Sequence, residues 1–422
     1  MHSSTTHRRV ALAATVVALA ATTALTGPTA SAAPGAPRTE KASVAPDGTD
    51  GNAPSGGGSI SADGRYLAFV SSADNLVAGD TNGLADAFVR DLKTGTTRLA
   101  SNRADGSPGD GHVLDVSLSA DGRYLAFTSN PTYDTADNHV WVKDLKTGAL
   151  QRVDDTVAPG YSAASSPALS ADGRYLAFLA LNTGEAPAGD NTNRAYRVDL
   201  VTGKTVRISQ VPGVGVWKSA AAYPSISADG SRVGYMFFVP HPFPGDWSDA
   251  YVRDVRSGEL FQIDKAPDGK VSDAQTESPQ VSADGRYAVF NSLDSQLTPG
   301  DTNNAHNVFI RDLKTGELRS IDAADPAASS GAPSLSADSR YLAYLSADLR
   351  DPDRTGQVYV RDLRTGHTVV VNPNTQGGNS QAAVFDLAID RHGRQVAFSS
   401  WGTDLVPGDT YDTTHVYVRH LR

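Results

Sequence analysis

One eleven-residue string constrains this chain more than anything else in it. Ser59-Ile60-Ser61-Ala62-Asp63-Gly64-Arg65-Tyr66-Leu67-Ala68-Phe69 recurs at intervals of 51 to 58 residues. Its centre is Asp63-Gly64, then Asp121-Gly122, Asp172-Gly173, Asp229-Gly230 and Asp284-Gly285, with a sixth copy at Asp338-Ser339 and a drifted seventh at His392-Gly393-Arg394. A second string, Val89-Arg90-Asp91-Leu92-Lys93-Thr94-Gly95, follows each copy and is cut short at Val418–Arg422. Without this periodicity, 422 residues would read as two or three domains of about 150 residues each. A fixed period instead means one supersecondary unit repeated, which must stack on its neighbours to bury its apolar faces.

Each unit carries four strand signals. A short strand ends in Ser-Ala, and Asp-Gly makes a tight turn, because glycine tolerates positive φ and the aspartate caps its own turn. The second strand, Arg-Tyr-Leu-Ala-Phe, alternates large and small side chains with period two. A variable loop leads to a third strand such as Ala87–Arg90, and a Thr-Gly turn leads to a fourth such as Thr97–Ala100. The expected fold class is all-β: a seven-bladed β-propeller of four-stranded antiparallel blades. The seventh unit lacks a fourth strand, and Arg38–Val44 precedes the first unit. Residues 38–45 are therefore expected as the outer strand of blade seven, pairing with His415–Leu421 and closing the ring.

The N-terminus reads as an address. His7, Arg8 and Arg9 precede an apolar run from Val10 to about Leu25 and the small-residue site Ala30-Ser31-Ala32, so residues 1–32 are expected to be a signal peptide. Residues 33–37 read as a flexible leader, and 38–422 as the propeller. The Arg-Arg pair is compatible with twin-arginine export as well as with the general route. Cleavage removes Arg8 and Arg9 and no acid, taking the net charge from −10 to −12. That balance argues against nucleic acid or an anionic membrane as partner, both of which need clustered Lys and Arg. With no cysteine in the chain, a disulfide scaffold, a thiolate metal site and a cysteine nucleophile are excluded. The expectation is a secreted or cell-wall-associated monomer with no membrane span.

The Ser-x-Asp-Gly-Arg-x-x-Ala-Phe hairpins and the Val-x-Asp-x-x-Thr-Gly units resemble the WD-repeat-like propeller repeats of TolB-type proteins, over roughly residues 38–422. The resemblance implies the fold and leaves function open. The α/β domain that precedes the propeller in TolB has no counterpart here. Prolyl-oligopeptidase-type enzymes also own propellers, but the G-x-S-x-G elbow of their catalytic domain is absent. Propeller lyases similar to oligogalacturonate lyase cluster histidines around a channel metal, and the histidines of this chain are scattered over different blades.

Function is expected where blades differ. The repeated acids at the hairpins and at the ends of third strands read as turn chemistry. Blade four departs most: Val239–Trp247 contains His241, Phe243 and Trp247 among prolines, and the connection into the blade holds Trp217 and Tyr223. These aromatics form either a ligand surface for a sugar ring or peptide, or a satellite core under a long loop. His112, Asp115, Glu277 and Asp386 fall on inner-strand segments and are expected near the channel mouth. Gly79-Asp80-Thr81-Asn82 and Gly300-Asp301-Thr302-Asn303 give a third candidate: Asp80, Asn82 and Asp86, and more weakly Asp301 and Asn303, have the spacing of oxygen ligands around a tight turn. Calcium and plain turn formation both account for them, and no other cofactor is expected. The leading functional expectation is a binding or scaffolding module for a protein, peptide or glycan. The alternative is a channel-centred lyase or glycosidase using Asp115, Glu277 and Asp386.

Overall fold

The computed structural model describes residues 36–422 except 131–137, 158–160, 183–191, 213–219, 239–247, 271, 273, 300, 302–304, 322–327, 349–355 and 410–412. The expected signal segment thus lies outside the described residues, as do Trp217, His241, Phe243, Trp247 and Asn303.

The described strands form seven four-stranded antiparallel sheets. In blade one the order from the axis outward is Ser55–Ile60, Tyr66–Ser71, Asp86–Asp91 and Thr96–Leu99. Blade seven runs Val384–Ile389, Gln395–Ser400 and His415–His420, and its fourth, outermost strand is Arg38–Lys41 from the other end of the chain. Arg38 faces His420 and Lys41 faces Tyr417 in antiparallel register, so the ring closes as the repeat arithmetic requires.

The hairpin works as the string implies. Ser61 Oγ donates to Asp63 at 2.6 Å and accepts the Tyr66 amide at 2.9 Å, while Asp63 also accepts the Arg65 amide at 3.0 Å. The glycine has a second duty that the turn alone does not reveal. A Cβ on Gly122 would stand 2.4 Å from Cδ2 of Tyr66 in the preceding blade, and one on Gly173 would stand 2.3 Å from Tyr124. The Asp-Gly turn of each of these blades is thus seated on the tyrosine of the one before.

The core lies between blades rather than inside them. Among the described residues seven apolar clusters occur, each drawn from two neighbouring blades. Ala68, Ala87 and Val89 of blade one, for example, pack on Val113, Leu118 and Phe127 of blade two. The small alanines on one face admit the large rings of the next, which explains the alternation in the repeat. Backbone bonds join the blades beside the axis: Ala62 to Ala120, Ala120 to Ala171, Ala171 to Ala228, Ala228 to Ala283, and Arg391 back to Ala62 across the closure.

All seven inner strands are bulged: the register slips where each meets its second strand, twice in blade three and once in each of the others. Five of the bulges contain a residue with positive φ: Gly57, Ser166, Tyr223, Ser278 and Ala332. A bulge frees backbone groups and re-aims side chains, and all seven lie on the innermost strands of their blades.

Candidate functional site

The repeated acids are occupied by the scaffold. Besides the hairpin aspartates, Asp91 accepts Arg65 Nη2 at 2.7 Å and the Lys93 amide at 2.9 Å, and the guanidinium holds its carboxyl below the usual range. The same pairing recurs as Arg123–Asp144, Arg174–Asp199, Arg286–Asp312 and Arg340–Asp362.

The acids expected at the channel mouth divide by role. Asp115 accepts the Thr128 amide in its own blade at 3.1 Å and the Ser166 amide of blade three at 3.0 Å. Asp386 accepts the Gly57 amide of blade one at 3.1 Å and the Ser399 hydroxyl at 2.6 Å. Ser166 and Gly57 are both positive-φ bulge residues. Each carboxylate therefore ties down the positive-φ bulge of the following blade, a duty that residue spacing does not disclose. Burial raises the pKa of Asp115, and the Thr128 and Ser166 hydrogen bonds oppose the rise. Glu277 lies against Gln275 at 2.6 Å and Asn291 at 3.3 Å in blade five. His112 accepts the Ala85 amide on Nδ1 at 3.0 Å, and burial lowers its pKa. These four residues come from blades two, five and seven. Among the described residues no three His, Cys, Asp or Glu side chains converge on a metal-sized point.

An apolar group stands at the cleft shared by blades seven, one and two. The exposed large hydrophobic side chains among the described residues are Leu114, Val201, Tyr223, Phe385 and Trp401. Leu114, Tyr223 and Phe385 occupy the inner-strand bulges of blades two, four and seven, where other blades carry Gly, Ser or Ala. Trp401 follows the second strand of blade seven and meets Phe385 edge-to-face, with ring centroids 5.1 Å apart. A cleft of about 390 Å³ opens beside this pair, with Leu114 and Phe385 on its walls and Gly56, Gly57, Asp386 and Ser399 among its lining. Gly56-Gly57-Gly58 leaves that side of the cleft without bulk. Sequence reasoning passed over Phe385, Trp401 and Leu114. The signal that finds them is the break in the small-residue pattern at the bulges, visible only once strand register is known.

The Gly79-Asp80 loop is folded as a turn in which the Asp80 amide meets the Val77 carbonyl. Asn82 accepts the Leu84 amide on its side-chain oxygen at 2.9 Å and turns its nitrogen toward Asp86 at 2.8 Å. Asn307 donates to Asp301 at 2.8 Å. Of the blade-four residues, Tyr223 is described: it is 56% exposed, with φ 48°.

No protein-family model and no curated protein sequence matches this chain. Solved structures do. Oligogalacturonate lyase from Vibrio parahaemolyticus superposes with a TM-score of 0.58 at 14% identity, over 92% of this chain and 97% of the lyase. A prolyl endopeptidase gives 0.59 at 16%, over 87% of this chain and 50% of that enzyme. TolB from Acinetobacter baumannii gives 0.43 at 16%, over 80% of this chain and 76% of that one. What the lyase and the endopeptidase share with this chain is the fold. The propeller that the TolB-type resemblance implies is the propeller found, and at these identities function does not transfer with it.

Proposed function

We propose that this chain is a non-catalytic binding propeller, exported from the cell, that holds a protein, peptide or glycan at the channel mouth beside blades seven, one and two. The observation that carries the reading is the exposed Phe385–Trp401 pair standing with Leu114 over a cleft lined by polar Asp386 and Ser399. Flat aromatic faces held by strands lose little entropy on binding, and they suit the apolar face of a sugar ring or a peptide side chain. Polar groups at the cleft then fix orientation.

Binding is favoured over catalysis because two of the candidate acids are engaged as links between blades. Asp115 and Asp386 each hold a backbone amide of the next blade, which engages as structural links two of the acids that glycosidic cleavage would use. Tyr223, exposed at the matching bulge of blade four, belongs to the same mouth and keeps that blade within the proposed surface.

The test uses the mature chain, residues 33–422, on a glycan array and against immobilised cell-wall peptides. Phe385→Ala and Trp401→Ala should each weaken binding about tenfold or more, the range of a buried aromatic anchor, with the thermal midpoint unchanged. Ligand binding that survives the double variant would remove the mouth from consideration. Cleavage of an oligosaccharide by the wild-type chain would favour the lyase reading instead.

A further inference from the structure

Three loops between second and third strands carry a Gly-Asp pair, and each meets its aspartate differently. Asp80, Asp301 and Asp409 stand six residues before the first position of a third strand. Each donates its amide to the carbonyl three residues back: Val77, Thr298 and Val406. In blade seven, Lys41 Nζ lies 2.5 Å from Asp409 and Tyr417 OH lies 3.0 Å from it, while the third strand opens with His415. In blade five the strand opens with Asn307, and its amide bonds Asp301.

Blade one has neither solution. The register that sets Lys41 opposite Tyr417 in blade seven sets Leu99 opposite Phe88 in blade one, so ammonium and phenol are both replaced by apolar groups. Its third strand opens with Asp86, which puts a second carboxylate where blade seven has an imidazole. Asp86 is fully buried, with Ser101 Oγ on one oxygen at 2.5 Å and the Asn82 amide on the other. Asp80 is only 6% exposed, and its Oδ1 is buried with no hydrogen-bond partner. Burial and the Asp86 charge raise its pKa to about 6. Two buried carboxylates side by side repel each other unless positive charge joins them.

We propose that blade one binds a calcium ion between Asp80 and Asp86, at the position that the Lys41 ammonium fills in blade seven. The donors around it are hard oxygens, which select calcium or magnesium over the softer transition metals. His112 stands near Asp86, but its Nδ1 is engaged with the Ala85 amide. Asp80 and Asp86 supply the two charges. Carbonyls and water complete the shell, and calcium accepts such irregular oxygen sets where magnesium demands an octahedron. Two charged ligands make a weak site, filled at calcium concentrations of about 0.1–1 mM, as in extracellular modules.

The experiment titrates CaCl2, and separately MgCl2, into the chelator-treated mature chain by calorimetry and by thermal melting. Wild type should give heat with calcium, and its midpoint should rise by about 2 °C for each tenfold excess of calcium over Kd. Asp80→Asn should abolish both responses while melting no lower than wild type in EDTA. The double variant Leu99→Lys/Phe88→Tyr, which rebuilds the blade-seven arrangement, should melt higher in EDTA and ignore calcium. Absence of heat and of a shift in wild type overturns the proposal, as does a calcium response that persists in Asp80→Asn. If Asp80→Asn fails to fold, a full calcium response in the double variant overturns it.

Discussion

Replacing Lys41 by Met tests the ring closure at its most buried point. The Lys41 side chain is 5% exposed and that of Asp409 is 0% exposed, with 2.5 Å between Nζ and the carboxylate; Nζ also reaches Asp50 at 2.8 Å. Methionine keeps most of the stem and removes the charge. Asp409 is then left in the interior with only neutral donors, such as the Tyr417 hydroxyl. Removing one partner of a buried pair costs about 3–5 kcal/mol, because the remaining ion keeps its desolvation penalty without its counter-charge. For a unit the size of Pro37–Arg422, unfolding entropy is roughly 0.8 kcal/mol per kelvin, so the midpoint should fall by about 4–6 °C. Differential scanning calorimetry of wild type, Lys41→Met, Asp409→Asn and the double variant gives the coupling directly. The double variant should recover most of the loss, since it buries no lone charge. A Lys41→Met midpoint within about 1 °C of wild type, or a double variant no better than the single one, would refute the argument.

Other outcomes follow from particular contacts. Deleting residues 38–45 removes the whole outer strand of blade seven and should lower the midpoint by well over the Lys41→Met drop, measured by the same scan. Asp115→Ala leaves the Thr128 and Ser166 amides without their acceptor and should cost about 2–4 kcal/mol in chemical denaturation; a neutral result would reopen a catalytic role for Asp115. Asp264 is fully buried beside Asp249 and accepts the Ala250 amide, and burial with the neighbouring charge raises its pKa above the ordinary 3.8. The folded state therefore holds a proton that the unfolded chain has released, so this group's contribution to stability falls as pH rises from about 4 toward the folded pKa. Asp264→Asn should flatten that decline and stabilise the protein at pH 8 by roughly 1–3 kcal/mol. Asn372 already performs the same task for the Val358 amide in blade six. A variant less stable than wild type at pH 8 in urea titrations would contradict the reading.

Much of the site lay beyond the repeat. The Asp-Gly pairs announce turns, yet seating Tyr66 against Gly122 requires two blades to be stacked, because the contact spans units. Asp115 and Asp386 looked like free carboxylates on inner strands. Their hydrogen bonds reach into the next blade, and no local pattern encodes that. Phe385 and Leu114 are ordinary apolar residues in their own strands; the bulge turns them outward.

The sequence by itself determined the number of blades, the strand order within each, the hairpin chemistry and the strand that closes the ring. All of these follow from local turn preference and from the periodicity of a repeat that cannot bury its faces alone. Only the tertiary structure decided which side chains face the channel mouth, which acids are links between blades, and which buried carboxylate has a counter-charge. Those properties depend on contacts between residues about fifty or more positions apart, such as Asp115 with Ser166, or nearly the whole chain apart, such as Lys41 with Asp409. Ring stacking sets such distances, and no short stretch of sequence carries them.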